Sequence, residues 1–136
     1  LGWMALPFLL VQAVYASSML EVVNYVEHYG LLRQRDASGR YVRCEPEHSW
    51  NSNHLVGNLL LYQLQRHSDH HAHPSRRYQA LRHFAAAPQL PAGYATMITV
   101  AYLPPLWFAW IDPRVMAHYG GDLGLVNLQA SARKKS

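Results

Sequence analysis

The chain has 136 residues, about the length of one domain, and only 15% of them are charged, against about 25% in soluble domains. Its formal net charge of +4 comes mainly from residues 33–82 and residues 133–135. No fingerprint of a nucleic-acid-binding fold accompanies this charge, so nucleic-acid binding is disfavoured. The single cysteine, Cys44, excludes an intrachain disulfide and a metal site built on paired cysteines. The composition favours a membrane-associated protein whose basic residues face anionic lipid or an acidic protein partner.

Residues 1–20 carry no charged side chain, and such a stretch crosses a bilayer core of about 30 Å as a helix. Pro7 and Gln12 interrupt the run, which leaves a buried helix of a soluble protein as the alternative. Because the chain starts within this apolar run, we expect a fragment of a longer protein. No charged segment precedes the run, so a secretory signal peptide is disfavoured.

Polar residues appear where this helix would leave the membrane. Glu21, Asn24 and His28 recur at spacings of three and four residues. They would therefore share one face if the helix continues to Gly30, a typical C-terminal stop. Ionisable groups at such a depth are costly and usually line an interior site. His28 is a candidate metal ligand only in combination with a histidine cluster elsewhere, because a polar residue at a helix exit is otherwise unremarkable.

A second helix is predicted to follow a polar loop. Residues 31–48 have the composition of a loop, and residues 49–53 offer several side chains suited to a helix N-cap. The apolar spacing then predicts a helix from His54 to Arg66 with leucines on one face. This helix would lead into the densest histidine cluster, since four of the nine histidines lie in residues 64–73.

The cluster has the spacing of a metal site. In a helix, His67, His70 and His71 stand at i, i+3 and i+4 on one face, where their imidazoles could share metal. Imidazole suits zinc, copper, iron and nickel, so the spacing does not choose the metal. A solvated polar helix end is the alternative. Asp69 could be the carboxylate of an iron site, but it would point away from the shared face. We therefore expect it to accept a hydrogen bond from a ligand imidazole.

The remaining chain is divided by prolines. Pro74 would end the histidine segment. Residues 97–111 form a second apolar run that is short for a membrane span, and Pro104 and Pro105 favour an interfacial or re-entrant segment. The sequence thus predicts an all-α membrane helical bundle fragment in four parts. These are a transmembrane helix with a polar end, a histidine region, a short apolar segment and a mobile basic tail, in residues 1–29, 30–95, 96–119 and 120–136.

Four sequence blocks carry a family resemblance. They are Asn24-Tyr25-Val26-Glu27-His28-Tyr29-Gly30, Glu45-Pro46-Glu47-His48-Ser49-Trp50-Asn51-Ser52-Asn53, Leu64-Gln65-Arg66-His67-Ser68-Asp69-His70-His71 and Ala87-Pro88-Gln89-Leu90-Pro91-Ala92-Gly93-Tyr94. In this order they resemble the integral-membrane alkane 1-monooxygenases, of the histidine-rich fatty-acid desaturase and hydroxylase superfamily. The resemblance extends from about residue 20 to residue 121.

The resemblance implies a six-helix, multi-pass enzyme of the inner (plasma) membrane with its histidine boxes on the cytoplasmic side. Such an enzyme holds two non-haem iron ions and hydroxylates the terminal methyl of an n-alkane, with O2 and electrons from rubredoxin. By position, the iron ligands in this chain would be His28, His67, His70 and His71. On helix geometry, rather than on the resemblance, Asn24, Glu27 and Asp69 are candidates to form hydrogen bonds with these ligands. A basic face for the acidic electron carrier would be formed by Arg33, Arg35, Arg40, Arg76 and Arg77.

Two further histidine boxes of the family are absent from this chain. We therefore expect the chain alone to be inactive and to bind iron weakly or not at all, whereas its longer parent is the enzyme. A related membrane di-iron desaturase or aromatic-methyl hydroxylase is the second hypothesis. A non-catalytic, histidine-rich metal-binding module of the membrane is the third.

Overall fold

The computed structural model describes residues 2–128, and within them the chain is helical, with no β-strand. Its α-helices are α1 Ala5–His28, α2 Leu55–Leu60, α3 His67–Ala72, α4 Tyr94–Ala101 and α5 Pro104–His118. Single turns of 3₁₀ helix lie at Pro46–His48, Tyr78–Ala80 and Leu123–Leu125. The predicted all-α class is confirmed.

Helix α1 has the dimensions of a membrane span. Its 24 residues extend about 36 Å at 1.5 Å per residue. Its most apolar 18-residue window has a mean hydropathy of 1.6, and none of that window is buried. Within residues 2–128 it is the one helix long and apolar enough to cross a membrane. It ends two residues before Gly30, whose φ of +73° turns the chain away from the helix axis.

The core packs around the last turns of α1 rather than along its length. Helix α4 contacts both α1 and α5, so these three helices enclose most of the buried apolar side chains. On these helices the fully buried members of this core are Val26 of α1, Tyr94 and Met97 of α4, and Trp107 and Ile111 of α5, and Trp50 joins them from the loop between α1 and α2. The free part of α1 is therefore left to lipid or to other helices, while its C-terminal end is held by the rest of the chain.

The apolar run of residues 97–111 forms parts of two helices instead of one segment. Pro104 and Pro105 occupy the first positions of α5, where the missing N–H groups cost nothing. The ring of Pro104 disfavours a helical conformation at Leu103, which has φ −118° and ψ 78°. The break lets α4 and α5 pack against each other and against the end of α1.

The predicted helix from His54 to Arg66 is wrong in its length, since α2 ends at Leu60. Tyr62 and Gln63 have φ values of 49° and 60°, so the chain reverses there. The reversal brings the fully buried Gln65 side chain over Gly57, where a Cβ atom would lie 2.5 Å from the Gln65 amide nitrogen. This packing competes with helix continuation and leaves the leucines of α2 about 72% exposed.

The segment after α5 folds back onto the end of α1. Val126 is 4% exposed and forms an isolated antiparallel bridge with Leu31. The Asn127 N–H donates to the Gly30 carbonyl at 3.0 Å. Within the predicted mobile tail of residues 120–136, residues 120–125 are exposed, Val126 is packed, and residues 129–136 lie outside the described part of the chain, so the mobility of the tail stays a prediction.

Candidate metal site

Three imidazoles from two helices converge at the end of α1. His28 is the last residue of α1, and His67 and His71 lie one turn apart on α3. One ring nitrogen of each lies within 4.8 Å of those of the other two. The Nε2 atoms of His67 and His71 are 2.7 Å apart. His67 is 6% exposed, and the other two are half-buried at the edge of the cluster.

The donor set fits a divalent transition metal. With metal–nitrogen bonds of about 2.1 Å, adjacent ligand nitrogens lie about 3 Å apart, close to the separation of the two Nε2 atoms. Metal binding requires neutral imidazole. Burial, with the neighbouring His71, His28 and His70, lowers the pKa of His67 to about 2. Burial and His28 also lower the pKa of His71. Both rings are thus held in the form that binds metal.

A buried carboxylate adjoins the cluster. Glu27 is 4% exposed, and its Oε2 lies 3.2 Å from Nε2 of His67. Its second oxygen is buried with no hydrogen-bond partner among residues 2–128. A buried acceptor without a partner is costly, so this oxygen is available to a group that enters the site. Asn24 contributes its main chain, since its carbonyl oxygen lies 3.0 Å from Nδ1 of His28.

His70 is separated from the three clustered imidazoles. It is exposed, and its ring centroid lies 6.0 Å from that of His67 and 5.9 Å from that of His71. The structure therefore pairs two histidines of the predicted face with His28. The assignment of His70 as a ligand stays a prediction.

Asp69 is fully buried on the other side of α3. It accepts hydrogen bonds from the Arg76 guanidinium, from the Arg82 N–H at 2.8 Å and from Nδ1 of His73 at 3.0 Å. Burial alone would raise the pKa of Asp69, but these donors together hold it below its usual value. The expected hydrogen bond to His67, His70 or His71 is thus replaced by contacts that fasten the following loop to α3.

One arginine of the predicted basic face, Arg76, is not exposed to a partner. Arg76 is half-buried against Asp69, so its charge is neutralised within the fold. Arg33 and Arg35 lie over the ring of Tyr41, with guanidinium carbons 5.1 and 4.6 Å from its centroid. The exposed members of the predicted set are Arg33, Arg35, Arg40 and Arg77.

A cavity of about 320 Å³ opens beside the cluster. Its apolar wall comes from Leu20 and Val23 of α1, and its polar wall includes the three imidazoles and Glu27. The sequence indicated the polar face of α1 but not this apolar wall beside it. It also missed the buried hydrogen bonds of residues 49–52, which had the composition of a local helix cap.

Comparison with known proteins places the chain in a family. Residues 1–101 match the sequence profile described as fatty acid desaturase. The chain belongs to the fatty acid desaturase family. This is an iron-using family of membrane enzymes, and a cluster of histidines at the end of a helix long and apolar enough to cross a membrane agrees with it. The resemblance noted in the sequence blocks is confirmed.

Several relatives within the fatty acid desaturase family have a common name. The chain is 57% identical over 130 residues to alkane 1-monooxygenase of Acinetobacter baylyi, covering 96% of this chain and 32% of the relative. It is 60% identical over 121 residues to alkane 1-monooxygenase 2 of Pseudomonas aeruginosa, covering 89% and 32%. It is 32% identical over 101 residues to the xylene/toluene monooxygenase hydroxylase component of Pseudomonas putida, covering 72% and 25%. The chain spans about a third of the length of the alkane 1-monooxygenases it matches.

Proposed function

We propose that this chain forms part of the di-iron centre of an alkane 1-monooxygenase. That enzyme hydroxylates the terminal methyl of n-alkanes with O2 and electrons from rubredoxin. The observation that carries the proposal is the convergence of His28 with His67 and His71. These residues lie in a chain 57% identical to a relative named alkane 1-monooxygenase.

The histidines would divide between two iron ions. His28, His67 and His71 would hold one ion. His70, directly before His71 on α3, would bind the other. The remaining ligands would come from the two thirds of the relatives' length that this chain does not match. Bound iron would supply the activation of O2 and the oxidising power for the C–H bond.

The chain's own residues would prepare the site for that chemistry. Glu27, in contact with His67, would orient its ring and hold a proton or a water at the free oxygen. Leu20 and Val23 would guide the hydrocarbon toward the imidazoles and keep bulk water away. An alkane has no polar handle, so its regiochemistry depends on such apolar positioning.

The exposed arginines would face the electron donor on the cytoplasmic side of the inner membrane. Rubredoxin, as an acidic partner, would be steered by Arg33, Arg35, Arg40 and Arg77. Arg76 is excluded from this role because it is bound to Asp69. The placement of basic residues next to a membrane helix also agrees with the positive-inside rule.

The test uses a chimera in which this chain replaces the matched 130 residues of the Acinetobacter baylyi relative. In membranes with rubredoxin and its reductase, we expect conversion of octane to 1-octanol and close to two irons per chain. His67→Ala should abolish both, and His83→Ala, at an exposed histidine outside the cluster, should retain both. Zinc in place of iron, or octanol formation that survives His67→Ala, would refute the proposal.

A second candidate is an aromatic-methyl hydroxylase. The observation in its favour is the 32% identity to the xylene/toluene monooxygenase hydroxylase component. The same chimera offered xylene would then form the benzylic alcohol, and octane would remain unchanged. The higher identity to the alkane enzymes favours octane.

A further inference from the structure

One short segment contacts both histidine-bearing helices. Residues 49–52 lie between α1 and α3, and each is at most 2% exposed although three of the four are polar. Polar groups buried this deeply are costly unless they form hydrogen bonds. Trp50 forms hydrogen bonds with the end of α1, and the adjacent Asn51 forms hydrogen bonds with the beginning of α3.

Trp50 holds the end of α1. Its main-chain N–H donates to the Glu27 carbonyl at 2.8 Å, and its indole N–H donates to the Tyr29 carbonyl at 2.8 Å. These two carbonyls stand on either side of His28. The last carbonyls of a helix have no partner within the helix, so Trp50 satisfies groups that would otherwise remain free. The backbone that carries His28 is thereby fixed.

Asn51 holds the beginning of α3. Its side-chain oxygen accepts the N–H of Ser68 at 3.0 Å, and its amide donates to the Ser68 hydroxyl. Ser68 follows His67 directly and carries one of the free N–H groups of the first helical turn. Arg66, the N-cap residue of α3, provides no side-chain cap. Asn51 therefore caps this helix from seventeen residues away in the chain.

The need for such a cap follows from the length of α3. A helix of six residues is not stable without tertiary contacts. His67 and His71 point in the same direction only while this helical turn is formed and its orientation about the helix axis is fixed. A single peptide bond joins the residue that fixes His28 to the residue that fixes His67.

We propose that Asn51 is a positioning residue of the metal site, which sets the placement of His67 and His71 relative to His28. The proposal rests on the metal site of the proposed function and is independent of the alkane reaction. Asn51 does not touch the imidazoles. It acts through Ser68 and the first turn of α3.

The experiment uses the chimera with the Acinetobacter baylyi relative, in lipid nanodiscs, with two readouts. In the metal-free chimera, the rate of His67 modification by diethyl pyrocarbonate is measured by mass spectrometry, relative to the exposed His83. In parallel, Co²⁺ is titrated, and its visible absorption reports affinity and ligand geometry. We expect Asn51→Ala to increase the relative modification of His67 and to weaken Co²⁺ binding about tenfold, the usual effect of removing a partner that orients ligands.

Two controls separate positioning from loss of stability. Ile111→Ala creates a cavity in the core on α5 without removing a hydrogen bond of residues 49–52, and should lower the thermal midpoint without changing either readout. Asn127→Ala makes the same substitution at an exposed asparagine and should change nothing. Unchanged readouts in Asn51→Ala, or equal effects in Ile111→Ala, would overturn the proposal.

A further variant keeps the proposal testable if Asn51→Ala does not fold. Asn51→Gln retains both hydrogen-bonding groups but carries them one methylene further, so the Co²⁺ spectrum should shift while the helical circular dichroism is retained. A folded Asn51→Gln with the parent spectrum and parent His67 protection would overturn the proposal. If the parent chimera binds no Co²⁺, the metal part of the proposed function fails, and the His67 modification rates alone decide the role of Asn51.

Discussion

Gly30→Ala should destabilise the junction between α1 and α5 through two separate effects. Gly30 has a φ of +73°, and a left-handed conformation costs an alanine about 1–2 kcal/mol. A Cβ atom there would also lie 2.7 and 2.9 Å from the two Cγ atoms of Val115, which is 3% exposed. Forcing an extra methyl into such packing costs about 1–3 kcal/mol. We expect a total loss of about 2–5 kcal/mol in the free energy of unfolding.

Gly39 provides the matched control, because its φ is +79° and no atom lies within 4 Å of its added Cβ. Gly39→Ala should therefore show the conformational cost alone. Equilibrium unfolding in detergent micelles, followed by the fluorescence of the buried Trp50 and Trp107, measures both variants. In a Val115→Ala background, Gly30→Ala should cost no more than Gly39→Ala. Equal losses for Gly30→Ala and Gly39→Ala in the parent chain would refute the steric argument.

Three further outcomes follow from the described contacts. Arg76→Ala should lower the free energy of unfolding by about 3–5 kcal/mol, because it leaves the buried Asp69 carboxylate without its cation. Arg77→Ala, at an exposed arginine, should leave thermal stability unchanged. Equal thermal midpoints for the two variants would contradict this. His71→Ala should weaken Co²⁺ binding by the chimera about tenfold or more, whereas His83→Ala, at an exposed histidine outside the cluster, should leave it unchanged. Parent-like Co²⁺ binding in His71→Ala would show that the ligand is misassigned. Hydrogen bonds from the Ser38 hydroxyl and the Arg40 and Ser38 N–H groups lower the pKa of Asp36. The stabilisation of this turn by the ionised Asp36 is therefore present above pH 3.8, the ordinary pKa, and is lost as the pH falls through the lowered pKa. A nuclear magnetic resonance titration of the Asp36 carboxyl with a midpoint at or above 3.8 would contradict that order.

Local sequence signals were sufficient where local physics decides the structure. The uncharged run predicted α1, because length and hydropathy are properties of consecutive residues. Pro104 and Pro105 explain the break in the second apolar run, because their backbone restrictions act on immediate neighbours. In the sequence, these prolines favoured an interfacial or re-entrant segment rather than two helices. The polar end of α1 made His28 a candidate ligand only in combination with the histidine cluster elsewhere in the sequence, and the structure places His28 beside His67 and His71.

Contacts between distant residues decided what the sequence did not reveal. Helix α2 ends early because Gln65 packs over Gly57, a contact that the leucine spacing does not encode. The i, i+3, i+4 pattern correctly indicated that His67 and His71 share a face, but the position of α1 determines which of the three histidines meets His28. Asp69 likewise faces Arg76 because the loop after α3 returns to it.

The segment that follows α1 forms hydrogen bonds with residues that are synthesised much later. Tyr29, Leu32 and Gln34 bond to Asp112, Tyr119 and Leu125, at separations of 83 to 91 positions. At translation rates of about 5–20 residues per second, roughly 4–18 s pass between the emergence of the two sides. All four candidate ligands leave the ribosome before Asp112, Tyr119 and Leu125 do, and therefore before these contacts at the end of α1 exist. A metal site that depends on these contacts would therefore reach its final geometry only after residue 125 has been made.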